Sequence, residues 1–173
     1  MRAHPLDSVY ITQYFGANPA EYATYNLRGH NGLDYRAAVG TPVRATADGE
    51  VVWVDTDPNY GLYLRIWCKA IGCYIFFAHL SKVNVKVGDA VKQGDVVALS
   101  GASGVNGNTG KPNPAHLHYE IRLCNEKGVY VMTLGMNRGQ VDPLGFEPGI
   151  ERGAALPVAT RVMLPFVATG TAT

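Results

Sequence analysis

The segment from residue 115 to 121 alternates polar and apolar side chains, and this alternation constrains the fold more than any other feature of the sequence. In a β-strand, successive side chains point to opposite faces. The strand therefore has one face with two histidines and a glutamate and another with three apolar residues: His116, His118 and Glu120 against Leu117, Tyr119 and Ile121. Neutral imidazole is the commonest protein ligand for zinc, but a catalytic zinc normally takes three protein ligands. Other segments must supply the missing ligands.

Short runs of β-branched and aromatic residues, separated by turns that contain Gly, Pro, Asn or Asp, fill the middle of the chain. They cover residues 41–45, 49–54, 62–67 and 74–79, and an earlier run covers residues 9–15. Short strands at this spacing predict a mainly β, single-domain fold, an antiparallel sandwich or a barrel-like sheet. The large aromatic residues of these runs are interpreted as core or cross-strand packing rather than as ligand-stacking residues: Trp53, Trp67, Phe76 and Phe77.

Composition limits the classes of function. The chain has 173 residues, 47% of them hydrophobic, which suffices for one domain with a core. Its net charge is +1 and it has no basic run or stripe, so nucleic acid is not expected as a partner. No stretch reaches the roughly 18 apolar residues of a membrane span, and residues 1–7 lack the apolar run of a signal peptide. We therefore expect a soluble and unprocessed chain.

Three cysteines do not form a disulfide framework. Cys68 and Cys73 flank a predicted hairpin turn, so a disulfide in an oxidising compartment and two half-buried thiols are both consistent with the sequence. A zinc site built on this pair is disfavoured, because no second pair matches it and Cys124 stands alone.

Two earlier segments carry further candidate ligands. His30 precedes Asp34 by four residues in a glycine-containing segment, and such a loop running into a strand can bring an imidazole and a carboxylate to one point. His79 ends the predicted strand 74–79. Taken singly, a His–Asp pair is more often a surface pair and a lone histidine more often structural.

A Gly-Asp-x-Val unit occurs twice, at residues 88–91 and 94–97, and predicts turns between tight strands. The next segment, residues 100–114, is rich in Gly, Asn, Ser and Pro and predicts an exposed loop that forms one wall of a cleft.

The order of these motifs resembles the LytM or lysostaphin-type zinc metallopeptidases, the M23 family. The resemblance rests on His30 and Asp34, on His79, on the Gly-Asp-x-Val run and on the His116–Glu120 segment, and it extends over about residues 5–143. It implies a mainly antiparallel β domain with the active site in a groove. We expect a peptidase domain over residues 1–146 and a flexible or loosely docked tail of unknown role over residues 147–173.

The resemblance also implies roles for individual residues. His30, Asp34 and His118 match the three Zn²⁺ ligands, with water at the fourth position. His116 matches the catalytic histidine that acts as general base, and His79 matches a second catalytic histidine that orients the water or stabilises the developing oxyanion. Glu120, on the same strand face, is either a hydrogen-bond partner that fixes an imidazole tautomer or a solvated strand residue.

The implied activity is zinc-dependent endopeptidase cleavage of the peptide cross-links of bacterial peptidoglycan, at the cell wall. Loops 55–61 and 101–114 would select between a glycine bridge and a cross-link from D-Ala to a diamino acid, and the sequence leaves both open. The absence of a recognisable export signal favours a phage-type lysin, an antibacterial endolysin made in the host cytoplasm and released.

The sequence disfavours two other classes of function. A non-catalytic module on the same fold, such as a phage tail component or a regulator of another wall hydrolase, is disfavoured because every family position is retained. A biotinyl or lipoyl carrier domain shares the Gly-Asp-x-Val turns, but no lysine occupies a hairpin tip in the expected context and the histidines would have no role.

Overall fold

The computed structural model describes residues 4–131 and 138–146. The predicted tail at 147–173 lies outside these residues. So does residue 132, the last residue of a further run, 129–132, that the sequence predicts as a strand. Within the described part of the chain, helix is limited to α1 (Pro19–Tyr22) and a 3-10 turn (Ala23–Tyr25). The mainly β prediction is confirmed.

Ten strands are present in the described residues: β1 (Ile11–Gln13), β2 (Leu33–Arg36), β3 (Pro42–Arg44), β4 (Gly49–Asp57), β5 (Gly61–Cys68), β6 (Cys73–Val83), β7 (Ala90–Val91), β8 (Val96–Ser100), β9 (His116–Leu123) and β10 (Gln140–Val141). They form one antiparallel sheet in the order β1-β2-β9-β6-β5-β4-β7. β10 also pairs with β9, β8 pairs with the C-terminal end of β6, and β3 pairs with β8. The predicted antiparallel β fold is confirmed, and its strands form one continuous sheet.

The alternation in β9 sets one face of the sheet against the core. Leu117, Tyr119 and Ile121 are fully buried, and the Tyr119 ring stacks on Phe77 of β6 with the ring centroids 5.5 Å apart. Complete burial of a side chain of this size contributes about 1.5–3 kcal/mol. The side chains of His116, His118 and Glu120 therefore lie on the other face of β9.

The other predicted aromatic residues pack across strands. Trp67 contacts Tyr74 with the ring centroids 4.8 Å apart. Trp53 remains 45% exposed, with the guanidinium of its cross-strand partner Arg65 lying 5.3 Å from its ring centroid. Trp53 is therefore a cross-strand residue and not part of the core.

Cys68 and Cys73 are direct partners across β5 and β6. Both are reduced thiols and both are fully buried. Of the two alternatives that the sequence left open, the structure shows the thiols, more deeply buried than expected.

The two Gly-Asp-x-Val units form turns of the same kind. Asp89 Oδ2 accepts a hydrogen bond from the backbone N–H of Lys86 at 2.9 Å, and Asp95 Oδ2 accepts one from Lys92 at 2.8 Å. Gly88 and Gly94 have φ values of 92° and 97°, a left-handed conformation that glycine adopts without a steric penalty. The repeat therefore has a structural role, which is to form these two turns.

Candidate active site

The register between β2 and β9 brings a carboxylate and an imidazole together. Asp34 and His118 are direct partners in this antiparallel pair, so their side chains lie on the same face of the sheet. Asp34 Oδ1 lies 2.8 Å from His118 Nδ1.

His30 reaches the same point from the loop before β2. The backbone N–H of His30 donates to Ala17 O at 2.8 Å, and the backbone carbonyl of His30 accepts from Gly16 N at 2.7 Å. This pairing requires Gly29, because a Cβ at that position would lie 2.3 Å from Gly16 O. His30 Nε2 is consequently held 3.1 Å from Nδ1 of His118 and 3.2 Å from Oδ1 of Asp34.

The three ligand atoms fit a tetrahedral zinc site. They form a triangle with edges of 2.8, 3.1 and 3.2 Å. Zinc with bonds of about 2.0–2.1 Å separates tetrahedral ligand atoms by about 3.3 Å. Two imidazoles and a carboxylate are also an ordinary donor set for zinc, and His30, Asp34 and His118 form a group that could hold a metal ion.

Hydrogen bonds on the far side of each imidazole fix which nitrogen faces the centre. His30 Nδ1 donates to the Tyr14 carbonyl at 3.2 Å, and His118 Nε2 donates to Glu120 Oε1 at 3.0 Å. When both rings are neutral, Nε2 of His30 and Nδ1 of His118 therefore direct their lone pairs toward Asp34, as metal ligation requires.

The surroundings favour positive charge at the centre. Burial opposes ionisation of His118, but hydrogen bonds and the negative charges of Asp34 and Glu120 raise its pKa to about 9. Burial also opposes ionisation of Asp34, yet hydrogen bonds from His118 and His30 hold the pKa of that carboxyl well below its usual range. In the metal-free chain a proton thus occupies the place where a cation fits.

Glu120 lies behind His118 and is fully buried. Its Oε1 also accepts from Asn31 Nδ2 and Arg122 Nη2, each at 3.0 Å, and its Oε2 accepts from Arg122 Nε at 2.7 Å. The interpretation of Glu120 as a solvated strand residue is therefore wrong, and the geometry agrees with its interpretation as the partner that orients an imidazole.

A β-bulge directs His79 toward the site. Ala78 faces His118 across β6 and β9, so strict alternation would turn His79 to the opposite face. The register of β6 with β5 shifts at this point, and His79 has φ 59°, an uncommon value for a residue other than glycine. Its ring centroid consequently lies 4.4 Å from that of His116.

The ionisation state of His79 follows from its environment. Burial, together with the neighbouring His116 and His118, lowers its pKa to about 3. The neutral ring donates from Nδ1 to the Ser103 carbonyl at 2.9 Å. Nε2 of His79 therefore carries a lone pair and acts as a hydrogen-bond acceptor.

The ring of His116, like that of His79, donates a hydrogen bond to a backbone carbonyl. Its Nδ1 donates to the Pro114 carbonyl at 2.8 Å, and its Nε2 lies 3.9 Å from Asp34 Oδ1. With the proton on Nδ1, Nε2 is available to accept a proton beside the three candidate ligands.

A groove of about 810 Å³ surrounds these side chains. The predicted loops 55–61 and 101–114 both contribute to its walls, through Tyr60 and Asn108 among others. α1 and the 3-10 turn form a further wall with Tyr22 and Tyr25, for which no chemistry was predicted from the sequence.

The polar residues around Glu120 were not predicted from the sequence. Arg122 could have been found from the same period-two alternation that singled out Glu120. Asn31 and Tyr60, which are joined by a hydrogen bond of 2.8 Å, carry no local signal of this role.

In the described residues, the structure has no helix with the length and apolar character needed to cross a membrane.

Comparisons with known proteins agree with this geometry. The sequence model of peptidase family M23 matches residues 28–133. The chain is 36% identical over 124 residues to the peptidoglycan DD-endopeptidase ShyB of Vibrio cholerae, a match that covers 70% of this chain and 28% of that protein. The chain thus spans little more than a quarter of the length of this curated relative.

Two solved structures are similar as well. A zinc-containing peptidase from Vibrio cholerae superposes with a TM-score of 0.65 at 30% identity, covering 86% of this chain and 40% of the other. A mutant form of the catalytic domain of the prophage-encoded M23 protein EnpA from Enterococcus faecalis gives a TM-score of 0.60 at 28% identity, covering 82% of this chain and 94% of the other.

Proposed function

The chain belongs to peptidase family M23, and we propose that it is a zinc-dependent endopeptidase that cleaves the peptide cross-links of bacterial peptidoglycan. The observation that carries this proposal is the convergence of His30, Asp34 and His118, whose ligand atoms lie within 3.2 Å of one another in a groove. Two further histidines, His79 and His116, stand beside them.

The three residues would hold the metal through Nε2 of His30, Oδ1 of Asp34 and Nδ1 of His118. When bound there, zinc would lower the pKa of water toward about 7 and polarise the scissile carbonyl. Glu120 supports this arrangement by holding the proton on the far nitrogen of His118.

His116 is the proposed general base. Its Nε2 accepts a proton from the attacking water and then donates it to the leaving amine as the peptide bond breaks. The hydrogen bond from Nδ1 to the Pro114 carbonyl keeps Nε2 as the basic nitrogen before the reaction and stabilises the imidazolium during it.

His79 is the proposed water-orienting residue. Because its ring is neutral and its Nδ1–H is occupied by the Ser103 carbonyl, Nε2 can accept a hydrogen bond from the attacking water. This state supports water orientation over oxyanion stabilisation, since the latter needs a donor.

The similarity to ShyB, named a peptidoglycan DD-endopeptidase, supports peptidoglycan as the substrate and the cell wall as the site of action. We further propose a phage-type lysin as the setting. The similarity to EnpA, which is prophage-encoded, supports this setting.

The test is release of new amino groups from purified peptidoglycan. We expect release by the zinc-loaded protein, none by the chelated protein, and release slower by about 10²–10⁴-fold for His116→Ala. Addition of the protein to bacteria from outside, with lysis as the readout, tests the lysin setting. A zinc-loaded protein that releases no amino groups from walls of several cross-link types would contradict the endopeptidase proposal and favour a binding module.

A further inference from the structure

Arg36 presents an exposed guanidinium on the active-site face of β2. It is two residues from Asp34, so the two side chains share a face of the strand. It is also the direct partner of His116 across β2 and β9, and it lines the groove. A positive charge therefore lies one strand away from the proposed general base.

An aromatic ring holds this side chain in place. The Arg36 Cζ atom lies 4.2 Å from the ring centroid of Tyr10, and the backbone N–H of Arg36 donates to Tyr10 O at 2.9 Å. A cation over a ring face is stabilised by the ring's quadrupole, which limits the positions that the guanidinium samples.

Arg36 has no acidic partner among residues 4–131 and 138–146. In the same part of the chain, Arg44 pairs with Asp7 at 3.0 Å and Arg122 pairs with Glu120 at 2.7 Å. A guanidinium offers two parallel N–H groups that match a carboxylate, so Arg36 has the chemistry to bind a carboxylate that enters the groove.

We propose that Arg36 binds a substrate carboxylate on the leaving-amine side of the scissile bond. This inference rests on the proposed function, in which His116 donates a proton to the leaving amine. The amine side of the substrate then lies nearest to His116 and to its cross-strand partner Arg36.

The position of this carboxylate selects a cross-link type. In a cross-link to a diamino dicarboxylic acid, the carbon that bears the leaving amine also bears a free carboxylate. A glycine bridge offers no side-chain carboxylate at that position. Arg36 therefore favours cross-links that end in a diamino dicarboxylic acid.

The test uses two cross-linked peptides that differ only in whether this carboxylate is free or amidated. We compare kcat/KM for the zinc-loaded wild type, Arg36→Gln and Arg36→Lys. Lys82→Gln is the charge-matched control, since Lys82 is exposed on β6 and does not line the groove. Arg36→Gln should lower kcat/KM about tenfold for the free-acid peptide, which is the loss expected for one charge-assisted hydrogen bond. It should change kcat/KM little for the amidated peptide.

Arg36→Lys should recover part of that loss, and Lys82→Gln should match the wild type on both peptides. Zinc content should be unchanged in all three variants. Equal kcat/KM changes on the two peptides, or no change on either, would overturn the inference while leaving the proposed function intact.

Binding provides a readout that does not need turnover. In the His116→Ala background, adding Arg36→Gln should raise the Kd for the free-acid peptide about tenfold and leave the Kd for the amide unchanged. If the wild type cleaves neither peptide, the proposed function fails, and this binding comparison still decides the role of Arg36. An unchanged Kd for the free acid would contradict it.

Discussion

Asp34 Oδ1 and His118 Nδ1 lie 2.8 Å apart although the two residues are 84 positions apart in the sequence. The contact exists because Asp34 and His118 are direct partners in the antiparallel pairing of β2 with β9. A slip of one residue in this register would turn one of the two side chains to the other face of the sheet. The candidate metal site is therefore a direct consequence of strand register.

Loss of a proposed ligand should abolish metal binding. Asp34→Asn and His118→Ala each leave two protein ligands, fewer than a catalytic zinc site normally has. We expect both variants to lose bound zinc and activity together, measured as zinc per chain and as release of amino groups. Retention of one zinc per chain in either variant would contradict the ligand assignment.

His116→Ala should separate metal binding from turnover. His116 Nε2 lies 3.9 Å from Asp34 Oδ1 and is not assigned as a ligand, so bound zinc should remain at the wild-type level. Loss of a general base typically lowers the rate by about 10²–10⁴-fold. The check is kcat alongside zinc content, and near-normal turnover would show that another group is the base.

Glu120→Gln should affect both stability and zinc affinity. The change leaves the buried Arg122 guanidinium without its anionic partner, at a cost of about 3 kcal/mol in the free energy of unfolding. It also weakens the acceptor for His118 Nε2, which should lower zinc affinity by about 10–100-fold.

Urea unfolding of the metal-free protein and zinc titration measure these two effects of Glu120→Gln. Glu50→Gln, an exposed site on β4, is the matched control and should change unfolding by less than about 0.5 kcal/mol. Wild-type zinc affinity in Glu120→Gln would rule out the orienting role.

Zinc binding should release protons below about pH 9. The pKa of His118 in the metal-free chain is raised to about 9 by Asp34 and Glu120 against the effect of burial, so its ring is protonated at pH 7. Zinc needs the neutral ring, and binding at pH 7 should therefore displace about one proton, with affinity falling as the pH falls. Asp34 releases no proton in this range because its pKa is lowered.

Calorimetric titration of zinc in buffers with different ionisation enthalpies measures this proton release. A zinc affinity that is independent of pH between about 6 and 8 would contradict the competition between proton and metal.

Gly32→Ala should disturb the site through sterics. A Cβ at Gly32 would lie 2.4 Å from Tyr119 O and 2.9 Å from His118 Cε1, so β2 and β9 would have to separate. We expect a loss of about 1–3 kcal/mol in unfolding free energy, as for other overpacked sites, together with weaker zinc binding. Gly88→Ala, where the added Cβ meets nothing within 4 Å but φ is 92°, should cost stability through backbone strain and leave zinc affinity unchanged.

Local patterns in the sequence were sufficient for much of the fold and for the residue types of the site. The alternation in β9 follows from the backbone geometry of any strand, and it separated the polar face of His116, His118 and Glu120 from the core face. The Gly-Asp turns and the short spacing from His30 to Asp34 are likewise local. The assignment of roles at these positions remains a set of predictions.

Tertiary structure decided what depends on pairing between distant segments. The orientation of His79 comes from a bulge in β6, which simple alternation does not reveal, and the position of Arg36 beside His116 comes from the β2–β9 register. Asn31 and Tyr60 meet near Glu120 only because the chain folds back on itself. A strand's own sequence determines which of its side chains share a face, whereas hydrogen bonding between strands determines which residues of other strands they meet.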